Sequence, residues 1–140
     1  MKRLAYILTA LVLLTACGKK NNQTELTFEQ KMLGEWHCPS LTVGGDAYLK
    51  LQKDKTYELY QKIGEGAYRL YRGTWNLEET LLTGKYNDGE DWAAAYSVEL
   101  ENKSMTLTSQ NDAAEVSVFN KTTIPETVLN SCVTIVKSGI

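Results

Sequence analysis

Short alternating segments, separated by turn signals roughly every ten residues, fill most of the sequence and exclude a helical or α/β architecture. Residues 47–52 place Leu49 and Leu51 on one face and Tyr48 and Lys50 on the other. Lys53-Asp54-Lys55 turns the chain into 56–63, which carries Tyr57, Leu59 and Tyr60. Beyond Gly64-Glu65-Gly66, residues 68–77 align Tyr71, Gly73, Trp75 and Leu77. Residues 81–86 lead to Asn87-Asp88-Gly89, the strongest hairpin signal in the chain. Residues 92–101 align Ala94, Tyr96, Val98 and Leu100, and the alternation continues through Met105 and Leu107 and through Val116 and Val118. Helical signals are brief. Thr27 and Gln30 form a capping-box pattern that ends at Gly34, and 125–130 reads as a second short helix before a last strand at 132–137. The pattern predicts an all-β fold, an antiparallel up-and-down meander of eight or nine strands with a short N-terminal helical turn. Closure into a small eight-stranded barrel removes exposed edges. A two-sheet sandwich is the alternative that pattern alone does not separate.

The 140 residues suit one domain. Fifteen basic against 17 acidic side chains give a net charge of −2, which provides no basic face for nucleic acid. One histidine and three cysteines leave little material for a metal site or a catalytic triad. No nucleophile–base pair, paired-carboxylate constellation or metal spacing is evident, so neither an enzyme nor a cofactor is expected. His37 has no partner that spacing can supply and reads as a structural residue on a rim. Cys38 beside it points to the opposite face of the same strand. Asn87, Asp88, Glu90 and Asp91 gather around Gly89, but their spacing departs from the EF-hand calcium loop and reads as a solvated hairpin tip.

The amino terminus is a different object. Lys2 and Arg3 precede an apolar run from Leu4 to Ala16 that is too short to span a bilayer, the pattern of a secretory signal. Leu14-Thr15-Ala16-Cys17 resembles a bacterial lipobox. That resemblance implies cleavage before Cys17 and a diacylglycerol on its thiol, which makes a membrane the first expected partner. The chain then divides into a signal peptide (1–16), a lipidated tether (17–26) and a barrel domain (27–140). Gly18 after the cysteine, with no aspartate there, implies outer-membrane retention under enterobacterial sorting, and because no acidic surface-export run follows Cys17 the anchor is expected to face the periplasm. With Cys17 acylated, Cys38 and Cys132 remain as an even pair in an oxidising compartment, so a disulfide is expected, with two free thiols as the alternative.

Gly34-Glu35-Trp36, just after the short N-terminal turn, resembles the Gly-x-Trp signature of lipocalins. Lys53-Asp54-Lys55-Thr56-Tyr57, Gly73-Thr74-Trp75 and Val118-Phe119-Asn120-Lys121 follow in order, and with the lipobox the chain is similar to the lipocalin-like lipoproteins common in Bacteroidetes. The resemblance implies a small barrel with Trp36 as a structural plug at its closed end and Gly34 allowing close backbone approach. Lys121 stands where lipocalins carry an arginine over that tryptophan. The aromatic residues could line a pocket or simply fill the core, since aromatics fit a pleated surface in either case. For a pocket, Tyr71, Trp75, Tyr96 and Val98 are the expected lining, because each sits on the more apolar face of its strand. The expected function is to bind a small hydrophobic or amphipathic molecule in the cell envelope. The alternative is a filled barrel that docks an envelope protein.

Overall fold

Alternation of apolar and polar side chains becomes eight consecutive antiparallel strands: β1 (Gly34–Cys38), β2 (Asp46–Leu51), β3 (Thr56–Lys62), β4 (Arg69–Glu78), β5 (Leu81–Tyr86), β6 (Tyr96–Glu101), β7 (Ser104–Ser109) and β8 (Val116–Lys121). The computed structural model describes residues 24–42 and 44–136. The expected signal peptide (1–16) and the expected lipidation site Cys17 lie outside them. Each strand pairs with the next, and β8 returns to β1 through Trp36↔Lys121 and His37↔Asn120, closing the meander into a barrel. Closure, rather than the sandwich alternative, leaves none of the eight strands without a neighbour on either side.

The two ends of the barrel differ. Turns β2–β3, β4–β5 and β6–β7 take two to four residues, and each contains one residue at positive φ: Lys55, Glu79 and Asn102. Asp54 secures the first of these turns by accepting from the Thr56 backbone N–H at 3.0 Å. At the opposite end, connections 39–45, 63–68, 87–95 and 110–115 are longer, six to nine residues. Helix α1 (Phe28–Met32) lies at the short-turn end. Thr27 and Gln30 close the expected capping box around its first turn, and Lys55 pairs with Glu29 at 2.6 Å to tie the helix to the β2–β3 turn. Met32 is fully buried and caps the interior.

Side chains fill the barrel on its closed side. Trp36, Leu51, Trp75, Val98 and Met105 are buried together, with Cys38, Leu49, Tyr57, Leu82 and Phe119 continuing the same cluster. A second cluster lies on the outer face of the wall. Tyr48, Tyr60 and Leu70 form one cross-strand row over β2, β3 and β4, and Ile124 and Val128 cover it. The C-terminal segment therefore straps across the barrel. Ile124 is held by its backbone N–H donating to Glu35 Oε2 at 2.8 Å, helix α2 (Glu126–Ser131) packs through Val128, and β9 (Val133–Thr134) pairs parallel to the start of β4. Strand β4 has room for it because its ladder with β5 begins only at Gly73↔Tyr86, which leaves Arg69 and Leu70 to β9.

Two sequence expectations are corrected. The strand expected from Trp92 begins at Tyr96, because the Trp92 ring seats on Gly84 and draws residues 92–95 out of the ladder. The β5–β6 ladder consequently has only two rungs, Leu81↔Ser97 and Leu82↔Tyr96. The expected Cys38–Cys132 disulfide is absent, and both thiols are free. Cys38 belongs to the interior cluster, whereas Cys132 packs against the strap on the outer face, so the barrel wall separates them.

Candidate functional site

An apolar cavity of about 230 Å³ opens at the long-loop end of the barrel. Its deeper wall is Leu49, Tyr57, Leu82, Leu107 and Phe119, and its mouth carries Leu41, Gln61, Tyr86, Trp92, Ala93, Tyr96, Glu115 and Ser117. Gly84 is what admits Trp92: a Cβ on that residue would collide with the indole, so only a glycine lets the ring lie against β5. The Trp92 backbone N–H donates to the Gly84 carbonyl at 2.9 Å, and its indole N–H donates to the Tyr57 hydroxyl at 2.9 Å. The rings of Tyr57 and Trp92 meet edge to face at 5.0 Å and 77°, and Trp92 and Tyr96 at 6.3 Å and 68°.

The loops around the mouth hold one another. Asn111 Nδ2 donates to the Ala93 carbonyl at 2.9 Å, and the Gln110 N–H donates to Ala95 at 2.9 Å, joining 87–95 to 110–115. Thr42 bridges both ways to Val116, its hydroxyl donating to the carbonyl at 2.6 Å and accepting from the N–H at 3.1 Å. Burial raises the Tyr57 and Tyr96 phenols above their ordinary value, and the negative charges of Asp88 and Glu115 respectively push the same way. Both rings are therefore neutral at physiological pH.

Of the four residues expected to line a pocket, Tyr96 does so. Trp75, Val98 and Tyr71 do not. Trp75 and Val98 face inward but lie in the filled half of the barrel, where the Trp75 indole N–H donates to the Thr56 carbonyl at 3.0 Å beside the β2–β3 turn. Tyr71 lies beyond the last β4–β5 rung and is half-buried. The period of a strand gives the face of each side chain but not its height in the barrel. Tyr57, Tyr86, Trp92 and Phe119 are the lining aromatics that this reasoning missed. Gly84, an isolated glycine inside a strand, was the available signal for a close approach.

The signature residues occupy the other end. Gly34 adopts φ +119°, and a Cβ there would approach Lys121 Nζ to 3.0 Å. Trp36 donates its indole N–H to the Met32 carbonyl at 2.8 Å. Lys121 crosses it, with Nζ 4.1 Å from the ring centroid and donating to the Leu33 carbonyl at 2.5 Å. Gly73 sits where a Cβ would strike the Lys85 carbonyl and the Tyr57 ring, at the point where β4 passes from its ladder with β3 to its ladder with β5.

His37 acquires a partner that its sequence context did not reveal. On the outer face of β1, its Nε2 meets Asp46 Oδ1 at 2.5 Å, the Tyr68 hydroxyl donates to the other carboxylate oxygen, and Tyr48 stacks on the imidazole at 4.3 Å. Cross-strand register places His37 opposite Tyr48 and diagonal to Asp46. At the 87–91 hairpin tip, Asp91 pairs with Lys85 at 2.6 Å, and Asp88 accepts from the Glu90 N–H at 2.9 Å. No group of three or more metal-ligating side chains occurs among the described residues. No protein-family model matches the chain, and neither a curated protein nor a solved structure is significantly similar to it.

Proposed function

We propose that this chain is a lipid-anchored, lipocalin-like lipoprotein of the cell envelope that acts as a binding module, holding a small hydrophobic or amphipathic molecule in the open end of its barrel. The cavity carries this reading: an aromatic-lined recess with Gln61, Ser117 and Glu115 at its mouth is the arrangement by which small-molecule sites combine apolar contact with a few orienting polar groups. At about 230 Å³ it lies below the roughly 300 Å³ at which drug-sized pockets begin, which suits a small ligand or the head of a larger one. The neutral fluorescent probe N-phenyl-1-naphthylamine should bind with micromolar affinity, and Ser117→Phe, which fills the recess, should weaken that binding at least tenfold. Absence of binding to the wild-type chain both by this probe and by benzyltrimethylammonium, the latter measured by calorimetry, would refute the reading. The lipobox at Cys17 supports the anchor, and metabolic labelling with a palmitate analogue should mark the wild-type chain but not Cys17→Ser.

One observation favours the alternative, docking of an envelope protein. Leu129, Val133 and Val136 stand exposed along the C-terminal strap. Crosslinking from Val133 in intact cells separates the two readings.

A further inference from the structure

We infer that the cavity selects organic cations, an alkylammonium or quaternary ammonium group with a short apolar tail. This inference rests on the ligand-binding reading above and narrows it. Five aromatic side chains line the recess, Tyr57, Tyr86, Trp92 and Tyr96 with Phe119 in its deeper wall. The steep angles between Tyr57 and Trp92 and between Trp92 and Tyr96 turn the rings into a box rather than a flat stack. Such a box offers π faces and edges from several directions, and π faces attract a cation within about 6 Å of the ring centroid.

Charge points the same way. Glu115 is the one charged residue in the lining, and neither lysine nor arginine contributes to it. Its side chain makes no ion pair or hydrogen bond among the described residues, in contrast to Asp91, held by Lys85, and Asp46, held by His37 and Tyr68. Asp88, on the loop behind Tyr86, adds to the negative field felt by Tyr57. An anionic ligand would meet only repulsion at this mouth, and a neutral one would leave Glu115 without a counter-charge.

Size and charge also favour a source. A zwitterionic lipid headgroup carries a phosphate a few bonds from its ammonium, which would sit near Glu115, and its two acyl chains exceed a 230 Å³ recess. A free organic cation has neither difficulty.

The test is displacement of N-phenyl-1-naphthylamine from the purified full chain by benzyltrimethylammonium, by its uncharged isostere neopentylbenzene, and by monomeric dihexanoylphosphatidylcholine. The expected result is displacement by the cation at a concentration at least about tenfold below that of the isostere, with Glu115→Gln narrowing that ratio to about threefold or less. Equal displacement by cation and isostere would overturn the inference while leaving a ligand-binding barrel intact. Failure of the naphthylamine and of the cation to bind, the latter checked by calorimetry, would overturn both. Displacement by the phosphatidylcholine as effective as by benzyltrimethylammonium, and equally sensitive to Glu115→Gln, would replace the free cation with a lipid headgroup.

Discussion

Gly34, Trp36 and Lys121 work as one device at the closed end. The positive φ of Gly34 sends the chain from α1 into β1 at the angle that lays Lys121 across the indole. Replacing Gly34 with alanine forces a side chain into a backbone region it rarely adopts and crowds the ammonium. The expected cost is about 1–3 kcal/mol, read as a lower urea midpoint with unchanged denaturant slope. The thiols give a second residue-scale prediction. Cys38 is buried, which raises its pKa and withholds the reactive thiolate, whereas Cys132 is half-buried at the edge of the strap. Iodoacetamide should modify Cys132 in the native protein and Cys38 only after unfolding, and a disulfide-linked Cys38–Cys132 peptide in a non-reduced digest would contradict the structure. Cysteine parity, with an oxidising compartment expected, points to a bridge, but parity carries no information about which side of a wall each residue faces. The same gap between face and position explains Trp75 and Val98. Their inward direction was legible from alternation, while their depth depends on how far each strand is staggered against its neighbours.

Among the elements, the strap is the least expected and the most testable. Its helix and terminal strand were readable from sequence as short signals near 125–130 and 132–137. Their place against the outer row of Tyr60 and Leu70 was not, because outward aromatics on a strand read equally well as solvent-facing. Ile124→Ala should therefore destabilise the protein by about 2 kcal/mol, toward the low end for a buried large-to-small change because the strap can settle into the space. Hydrogen exchange should then accelerate most in α2, β9 and the Arg69–Leu70 stretch of β4, and an acceleration spread evenly over all eight barrel strands would show that the strap is not a separable layer. The 87–95 connection had the opposite history. Its Asn-Asp-Gly turn was plain in the sequence, yet the detour that follows depends on a contact between Trp92 and Gly84, eight residues apart, that no local propensity encodes.

For the molecule as a whole, tyrosine burial sets the response to alkaline pH. Burial pushes the Tyr60 phenol up to about 12, and Tyr68 rises as well, through burial and the Asp46 carboxylate it bonds. Tyr48, Tyr57 and Tyr96 shift in the same direction, again chiefly by burial. Unfolded phenols titrate near 10, so above that pH the native state binds more protons than the unfolded chain, and stability must fall as pH rises. Their contribution is fully present below pH 10 and is progressively lost toward the Tyr60 value of about 12. Urea midpoints measured by circular dichroism should hold between pH 8 and 9.5 and drop by pH 11, with phenolate absorbance at 295 nm lagging behind that of free tyrosine. A midpoint unchanged at pH 11 would contradict this account.

The asymmetry between the barrel's ends has a consequence for the lipid anchor proposed above. Helix α1 enters at the short-turn end, pinned there by Lys55–Glu29, while the cavity opens at the opposite pole. Under the proposed acyl anchor at Cys17, the ten residues to Thr27 would reach at most about 33–36 Å and would join the barrel at its floor, where α1 enters, and not at its rim. A barrel tethered in that way would turn its mouth toward water more readily than toward the lipid surface. Its cargo would then be drawn from the aqueous compartment, so a soluble molecule would meet the opening directly and a bilayer lipid would have to travel around the outside of the wall to reach it.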